Sequence, residues 1–409
     1  MVYQFLRLVT SFAIKFFFRR IHINGIENIP MDKPLFIACN HPAGFIEPVI
    51  TACVFPRPLY FLTRGDLFKN KVLAPLLRET NQIPIFRSKD GFSNLRHNKE
   101  SIKRVVEVLK VYNAIMIFIE GTTENVWHLR PLKKGMANMI LQTLHQDSSL
   151  DLHILPMGIT LTKSAMVGAE VFINFGKAIP VGNLSDPQEA NFIQEYNKKL
   201  YPLIQDNLIH LNTKRLEWYV KRWIELKNFT STYSFYPRIL YNNWKYNEIR
   251  RFSEFINNRN AVELKALRVQ LLELKRLINS EKIAFPSNGY LPNLSIQKYI
   301  FLILGIPGLL FHLLPVGLAG QITARFVGTI EFFGAVLAST ILGCTLIWYI
   351  LMFVILGIYW SLVNSFILII LLALSGISYL AYQELKDCHN NKTLRMKIEN
   401  SLKNFTHPR

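Results

Sequence analysis

The chain has 409 residues, half of them hydrophobic, with 47 Lys and Arg against 28 Asp and Glu, a formal net charge of +19 and a pI near 9.7. So apolar a chain with so large a positive charge argues against an ordinary soluble basic protein, and it suits an anionic membrane surface better than nucleic acid, for which no role is expected. The four cysteines, Cys39, Cys53, Cys344 and Cys388, are scattered without a CxxC pair, which argues against a disulfide scaffold or a zinc site and for a reduced, intracellular catalytic face.

Residues 1–20 are rich in Phe, Leu and Val, carry Arg7, Lys15, Arg19 and Arg20, and show no small-residue cleavage pattern. They read as an apolar helix ending in paired arginines, lying in or dipping into an anionic leaflet, with a buried core helix as the alternative. From Ile21 to about Pro180 strands and helices alternate. Strands are expected at Leu35–Cys39, Leu59–Leu62, Ile83–Phe86, Ala114–Phe118, Ile154–Ile159 and Val171–Phe175, with helices near Glu47–Val54, Asn98–Lys110 and Gly135–Leu144. This is an α/β domain.

Directly after the first of these strands stands Asn40-His41-Pro42-Ala43-Gly44-Phe45-Ile46-Glu47-Pro48. On an ideal helix His41 and Glu47 would lie roughly 120° apart and would not meet. Pro42 and Gly44 point to a bent entry that folds Glu47 back toward the imidazole, giving a general base with an orienting carboxylate.

Beyond Ser185 the composition shifts to long helical runs over Gln188–Ile209, Thr213–Leu226, Trp244–Asn257 and Ala261–Ile278. In the last, Leu264, Leu267, Leu271, Leu274 and Ile278 form an apolar stripe that means packing. From Tyr299 to Gln383 only Arg325 and Glu331 are charged. Phe333–Leu356 and Tyr359–Tyr382 are each long enough to cross a hydrocarbon core of about 30 Å. Tyr299–Leu318 is apolar too, but Pro307, His312 and Pro315 interrupt it. The basic tail after Glu384 and the basic body both favour the cytoplasm, so an even number of crossings is expected between them, and two spans plus a re-entrant piece fit best.

Three later stretches complete the constellation. Asn81-Gln82-Ile83-Pro84-Ile85-Phe86-Arg87 ends a strand with an arginine able to grip phosphate. Ile117-Phe118-Ile119-Glu120-Gly121-Thr122-Thr123 ends another with a carboxylate, a glycine and two hydroxyls, and Leu155-Pro156-Met157-Gly158-Ile159 is mostly apolar. In this order and spacing, over about Gly25–Pro180, the chain resembles the glycerolipid acyltransferases, the PlsC-type and glycerol-3-phosphate acyltransferases. Their blocks are commonly NHxxxxD, PVxR or FIxR, FPEGTRS, and a V-P-V/I segment. Here the gap between the His and the acid is five residues and the acid is Glu, as in the branch with HPxxFxDP except for the acid; Ile119 and Thr123 replace the third block's Pro and Arg.

The resemblance implies an α/β acyltransferase domain, a mixed sheet flanked by helices, followed by a helical segment and a C-terminal α-helical transmembrane region. The expected divisions are residues 1–24 (interfacial or embedded helix), 25–185 (acyltransferase domain), 186–297 (helical extension), 298–384 (membrane region of two or three segments) and 385–409 (basic cytoplasmic tail). It implies His41 and Glu47 as the catalytic pair, Arg87 as a phosphate contact, and Glu120, Gly121 and Thr122 as the loop that positions the acceptor. With the block arginine missing, phosphate binding is expected to rest more on Arg87, or on Arg64, Arg130, Lys133 or Lys134. The implied reaction moves a fatty acyl group from acyl-CoA or acyl carrier protein to glycerol 3-phosphate or a lysophospholipid, on a catalytic domain facing the cytoplasm, with no cofactor or metal expected. The alternative is a lipid-binding or scaffold protein that has kept the fold without the activity. Cys39 as an acyl carrier is disfavoured by its apolar strand, and no GxSxG, P-loop or GxGxxG is present.

Overall fold

The computed structural model describes residues 2–71, 73–86, 98–163, 167–188, 190–230, 239–242, 244–283, 293–387 and 392–406. They fall into two compact units. The first comprises Met1–His210 with Ile239–Tyr246 and Ile330–Ala335; the second comprises Leu211–Arg238, Asn247–Thr329 and Val336–Arg409.

The first unit runs α1 (Val2–Phe17), β1 (Arg20–Asn24), β2 (Leu35–Cys39), α2 (Ile46–Val54), β3 (Leu59–Arg64), α3 (Leu73–Glu79), β4 (Gln82–Ile85), α4 (Asn98–Lys110), β5 (Ala114–Phe118), α5 (Gly135–Gln146), β6 (His153–Leu161), β7 (Glu170–Phe175), β8 (Ile179–Pro180), α6 (Val181–Leu184), α7 (Phe192–Gln205) and, after a return of the chain, β9 (Ile239–Leu240). The sheet order is β4-β3-β5-β2-β6-β7-β1-β9, with β8 beside β6. Pairing is parallel except where β6 meets β7 and β8. Central strands such as Leu35–Cys39 are buried along their whole length, so they read as unbroken apolar runs rather than alternating ones. Ile102, Val105 and Leu109 of α4, Met136 and Ile140 of α5, and Tyr196 and Leu200 of α7 share one core with Phe36 and Ile115 of the sheet.

Helix α1 packs on α2. Arg7 Nη2 donates to the Phe55 carbonyl at 2.6 Å, and Phe5, Leu8 and Phe12 are left 63–72% exposed, an apolar stripe suited to a leaflet. The expected helix over residues 1–24 is shorter than that. It ends at Phe17, and Arg20, expected to close that helix, is 1% exposed and opens strand β1. The reason is countercharge. Arg20 stands opposite Glu170 in the β1–β7 register, Lys245 Nζ lies 2.5 Å from Glu170 Oε2, and His22 lies 3.6 Å from the same oxygen. Buried charges paired in this way hide the strand from any reading based on apolar pattern.

This cluster makes stability depend on pH. Burial holds the His22 imidazole below its ordinary value of 6.5, with Glu170 only partly opposing it. For Glu170 burial pushes the carboxyl up, but Lys245 and His22 outweigh it and leave the group well below 4.5. An unfolded chain therefore takes up a proton on His22 that the folded chain refuses. Stability should fall as pH drops below 6.5, and fall further below 4.5 as Glu170 loses its charge preference. Thermal unfolding of detergent-solubilised protein from pH 8 to 5 is expected to show a falling Tm, with a flatter slope in His22→Asn.

The second unit contains α8 (Glu217–Thr230), most of α9 (Trp244–Asn257), α10 (Ala261–Ile283), α11 (Asn293–Phe326), most of α12 (Ile330–Tyr359), α13 (Leu362–Asp387) and α14 (Lys392–Thr406). The Trp223 and Phe252 rings stack at 5.3 Å, and four residues of the expected stripe, Leu267, Leu271, Leu274 and Ile278, are buried. Among the described residues, three helices are long and apolar enough to cross a membrane: Gln297–Phe326, Glu331–Tyr359 and Leu362–Leu385. The break between the last two falls at Trp360–Ser361, so Tyr359 ends α12 rather than opening α13.

The proline-interrupted segment is also a continuous helix, α11, with Pro307 and Pro315 inside it. Proline removes a ladder donor, and in an apolar medium the freed groups need another partner. Ser375 of α13 supplies one: the Gly308 N–H donates to its Oγ at 2.7 Å, and that hydroxyl donates to the Leu304 carbonyl. A side chain at Gly308 would place its Cβ 2.1 Å from the Gly376 nitrogen, so only glycine lets the two helices approach this closely.

Candidate active site

Strands β4, β3, β5 and β2 lie side by side and run parallel, so their carboxyl ends form one edge, the usual place for a site in such sheets. That edge carries Arg64 at the end of β3, Glu120 just after β5 and His41 just after β2. Arg87, which follows β4, lies outside the described residues.

Asn40 closes β2. Its Nδ2 donates to the Ile159 carbonyl at 3.0 Å and its Oδ1 accepts from the Ile159 N–H at 2.9 Å, pinning the strand end to β6. The chain then turns through Pro42 and Ala43. Helix α2 starts behind Phe45, whose φ of 67° lies in the left-handed region. This bend lets Glu47, in the first turn, reach backward: its Oε1 accepts the Ala43 N–H and lies 3.2 Å from His41 Nδ1. Glu47 is fully buried, and its Oε2, like the hydroxyl of Thr51 one turn on, has no hydrogen-bond partner among the described residues. The His41 ring stacks on Phe118 with centroids 3.9 Å apart and planes 17° from parallel. A carboxylate on Nδ1 and an aromatic face hold the imidazole in one orientation, with Nε2 left for chemistry.

Glu120 has a different place from the expected one. Instead of facing an acceptor it is 3% exposed, and both of its oxygens are engaged. Oε2 accepts the His41 N–H at 2.8 Å and Arg130 Nη2 at 2.8 Å, while Oε1 accepts the Arg130 N–H at 2.9 Å. The Glu124 N–H donates to the His41 carbonyl at 3.2 Å, so the two loops are clamped on both sides of the histidine. Arg130 is likewise turned inward, donating through Nη1 to Thr122 Oγ1 at 2.8 Å and through Nη2 to the Thr122 carbonyl. A buried carboxylate needs this countercharge, which outcompetes any exposed role for either group.

Gly121 has a φ of 68°, and a Cβ there would meet Lys133 Cγ at 3.0 Å, so the Lys133 stem lies along the glycine while the residue itself is exposed. Thr122 is exposed as well. Arg64 is on the surface, with Nε and Nη2 paired to Asp66 at 3.0 and 2.7 Å, an intact local fork that any phosphate would have to break. Cys39 is fully buried, and its thiol is pushed well up by burial and by Glu47 and Glu120, which suits an inert thiol. Among the described residues no group of three or more His, Cys, Asp or Glu could hold a metal.

Reading by blocks left out Asn40 as a strand clamp, Phe118 as the ring's stacking partner and Glu120 as the link to the His41 backbone. Their signal is positional only: Phe118 is the last residue of β5, and Asn40 and Glu120 sit one and two residues past a strand end. Glu120→Gln is expected to lower kcat about tenfold to a hundredfold with a smaller change in KM, because a carboxamide cannot accept from both Arg130 and the His41 N–H with its full charge. Steady-state kinetics at several acceptor concentrations separate the two effects.

Residues 20–160 match the model of the acyltransferase family. A 1-acyl-sn-glycerol-3-phosphate acyltransferase of Bacillus subtilis (strain 168) is 30% identical over 118 residues, 28% of this chain and 53% of the relative. A chloroplastic 1-acyl-sn-glycerol-3-phosphate acyltransferase of Arabidopsis thaliana is 24% identical over 161 residues, 39% of this chain and 41% of its own. The chain thus spans about half or less of the length of these curated relatives. Among solved structures, the 1-acyl-sn-glycerophosphate acyltransferase PlsC of Thermotoga maritima aligns with 50% of this chain and 76% of its own, at 18% identity and a TM-score of 0.37. The domain built around His41, over residues 20–160, matches the acyltransferase family model and is similar to 1-acyl-sn-glycerol-3-phosphate acyltransferases.

Proposed function

We propose that the chain is a membrane-bound O-acyltransferase of glycerolipid synthesis, moving a fatty acyl group from an acyl thioester to the hydroxyl of a lysophospholipid such as 1-acylglycerol 3-phosphate, or of glycerol 3-phosphate. The observation that carries this reading is the His41 Nδ1 to Glu47 Oε1 contact of 3.2 Å, made by a bent helix entry at the carboxyl edge of a parallel sheet. Neutral His41 takes the hydroxyl proton on Nε2 while Glu47 holds the Nδ1 proton and stabilises the imidazolium. The acceptor oxygen bonds to the thioester carbonyl carbon, the carbon–sulfur bond breaks, and the departing thiolate takes the proton back from Nε2. This is the division of labour of a serine-hydrolase triad with the hydroxyl supplied by the substrate.

Phosphate on the acceptor is best served by Arg87, Lys133 and Lys134, since the Arg130 guanidinium is engaged with Glu120 and Thr122 and Arg64 with Asp66. The donor is acyl-CoA or acyl carrier protein, and no metal enters the proton transfer so described. Three apolar helices support membrane attachment. Helix α14 packs on α8, which supports an even number of complete crossings between them and agrees with a basic body and tail both on the cytoplasmic side.

The test is acyl transfer in membranes carrying the full chain, with labelled acyl thioesters and a panel of glycerol 3-phosphate, lysophosphatidate and other lysolipids, read by lipid mass spectrometry. Transfer to one or more phosphorylated acceptors is expected. No product from any pair would leave the lipid-binding or scaffold reading in its place.

A further inference from the structure

The loop that carries His41 has a polar side, held by Glu120 and Arg130, and an apolar side that the proton transfer does not use. On the apolar side Phe45 is 56% exposed although its backbone sits at φ 67°, a left-handed conformation that is unfavourable for a non-glycine residue. Val49, one turn further along α2, is 38% exposed on the same face. Between the buried neighbours Gly44 and Ile46, then, the chain accepts local strain and holds an aromatic ring outward four residues after His41.

A residue from far along the sequence meets this ring. Phe332, in the first turn of α12, lies so close to Gly44 that a Cβ on the glycine would fall 2.3 Å from its Cε1. Its ring centroid is 5.3 Å from that of Phe45, tilted by 44°, the usual geometry of an aromatic pair. A side chain at position 44 would force the Phe332 ring to shift. The segment Ile330–Ala335 belongs to the same compact unit as the catalytic loop, although it lies well outside the family-matched residues 20–160 and opens a 29-residue apolar stretch, Glu331–Tyr359.

We propose that Phe332, with Phe45 and Val49, forms an apolar lip that binds the acyl chain next to the reacting carbonyl, so that the C-terminal helix α12 contributes a specificity-determining residue to the site. The inference rests on the acyl-transfer reading, because that reaction brings a long methylene chain to within bonding distance of the His41 loop. The lip is apolar and lies on the loop that bears the base, which fits a methylene chain running from the reacting carbonyl. The chain could be that of the thioester or the one already on the acceptor, and the chemistry of the lip is the same for both.

The experiment uses the full chain in lipid nanodiscs and compares wild type with Phe332→Ala and Phe332→Leu. One arm varies the thioester from six to eighteen carbons with glycerol 3-phosphate as acceptor; the other fixes the thioester and varies the acceptor's chain. Removing the ring is expected to lower the ratio of kcat/KM for long over short chains about tenfold, with most of the ratio restored in Phe332→Leu, since each buried methylene is worth roughly a fourfold preference. The arm in which the ratio moves identifies whose chain is held. A loss by the same factor at every chain length, or no change in the ratio in either arm, overturns the proposal and leaves the acyl-transfer reading standing. Absence of transfer by the wild type with every pair overturns both.

Discussion

His41→Ala is expected to reduce kcat for acyl transfer by about a thousandfold or more, with little change in the KM of either substrate. A positioned general base contributes about 10²–10⁴ in rate, and here it acts on a weakly acidic hydroxyl with no enzyme nucleophile to share the work. The variant should still fold. The His41 side chain is 17% exposed, its backbone N–H keeps the bond to Glu120, and the ring's loss uncovers one face of Phe118 without opening the core. Rates in membranes, alongside thermal unfolding of the purified variant, check both halves. Equal rates for variant and wild type would remove His41 from the chemistry and with it the catalytic reading.

Glu47→Gln is expected to lower kcat by about a hundredfold to a thousandfold while leaving the binding of the acceptor nearly intact. Glu47 Oε1 serves two partners, the Ala43 N–H and His41 Nδ1, and sits in a fully buried place. A carboxamide oxygen can take over both contacts, but without the charge that stabilises the imidazolium formed as the proton moves. The amide nitrogen would then fall where Oε2 now lies with no partner, adding about 1–3 kcal/mol of desolvation cost and a lower unfolding temperature. A variant in which only the KM of the acceptor rises would show that Glu47 shapes the binding site and does not orient the base.

These two predictions use a contact that six-residue spacing alone does not provide. The sequence shows that a base and a carboxylate follow a buried strand, and that Pro42 and Gly44 interrupt the helix between them. It does not show that Phe45 takes a left-handed conformation, which turns the first helical residues back over the histidine. Side chains likewise decide what each block does. Glu120 reads as a loop residue open to substrate, yet burial and Arg130 make it the anchor of the His41 backbone.

What the sequence by itself determined is the part that local physics controls: six apolar strands of the sheet, most of the helices with their apolar faces, two long membrane-length runs, and the ordered blocks that place a base and an acid at one strand end. Buried parallel strands and membrane helices announce themselves because each needs an unbroken apolar run. Tertiary structure decided the rest, wherever a polar or helix-breaking residue is made tolerable by a distant partner. Arg20 and His22 enter the sheet because Glu170 and Lys245 accompany them, and Pro307 lies inside a helix because Ser375 occupies the opened ladder. Phe332 packs against the His41 loop at Gly44, where a side chain would meet its ring. Such pairings join residues tens to hundreds of positions apart, and their energies exist only once the chain has brought them into contact.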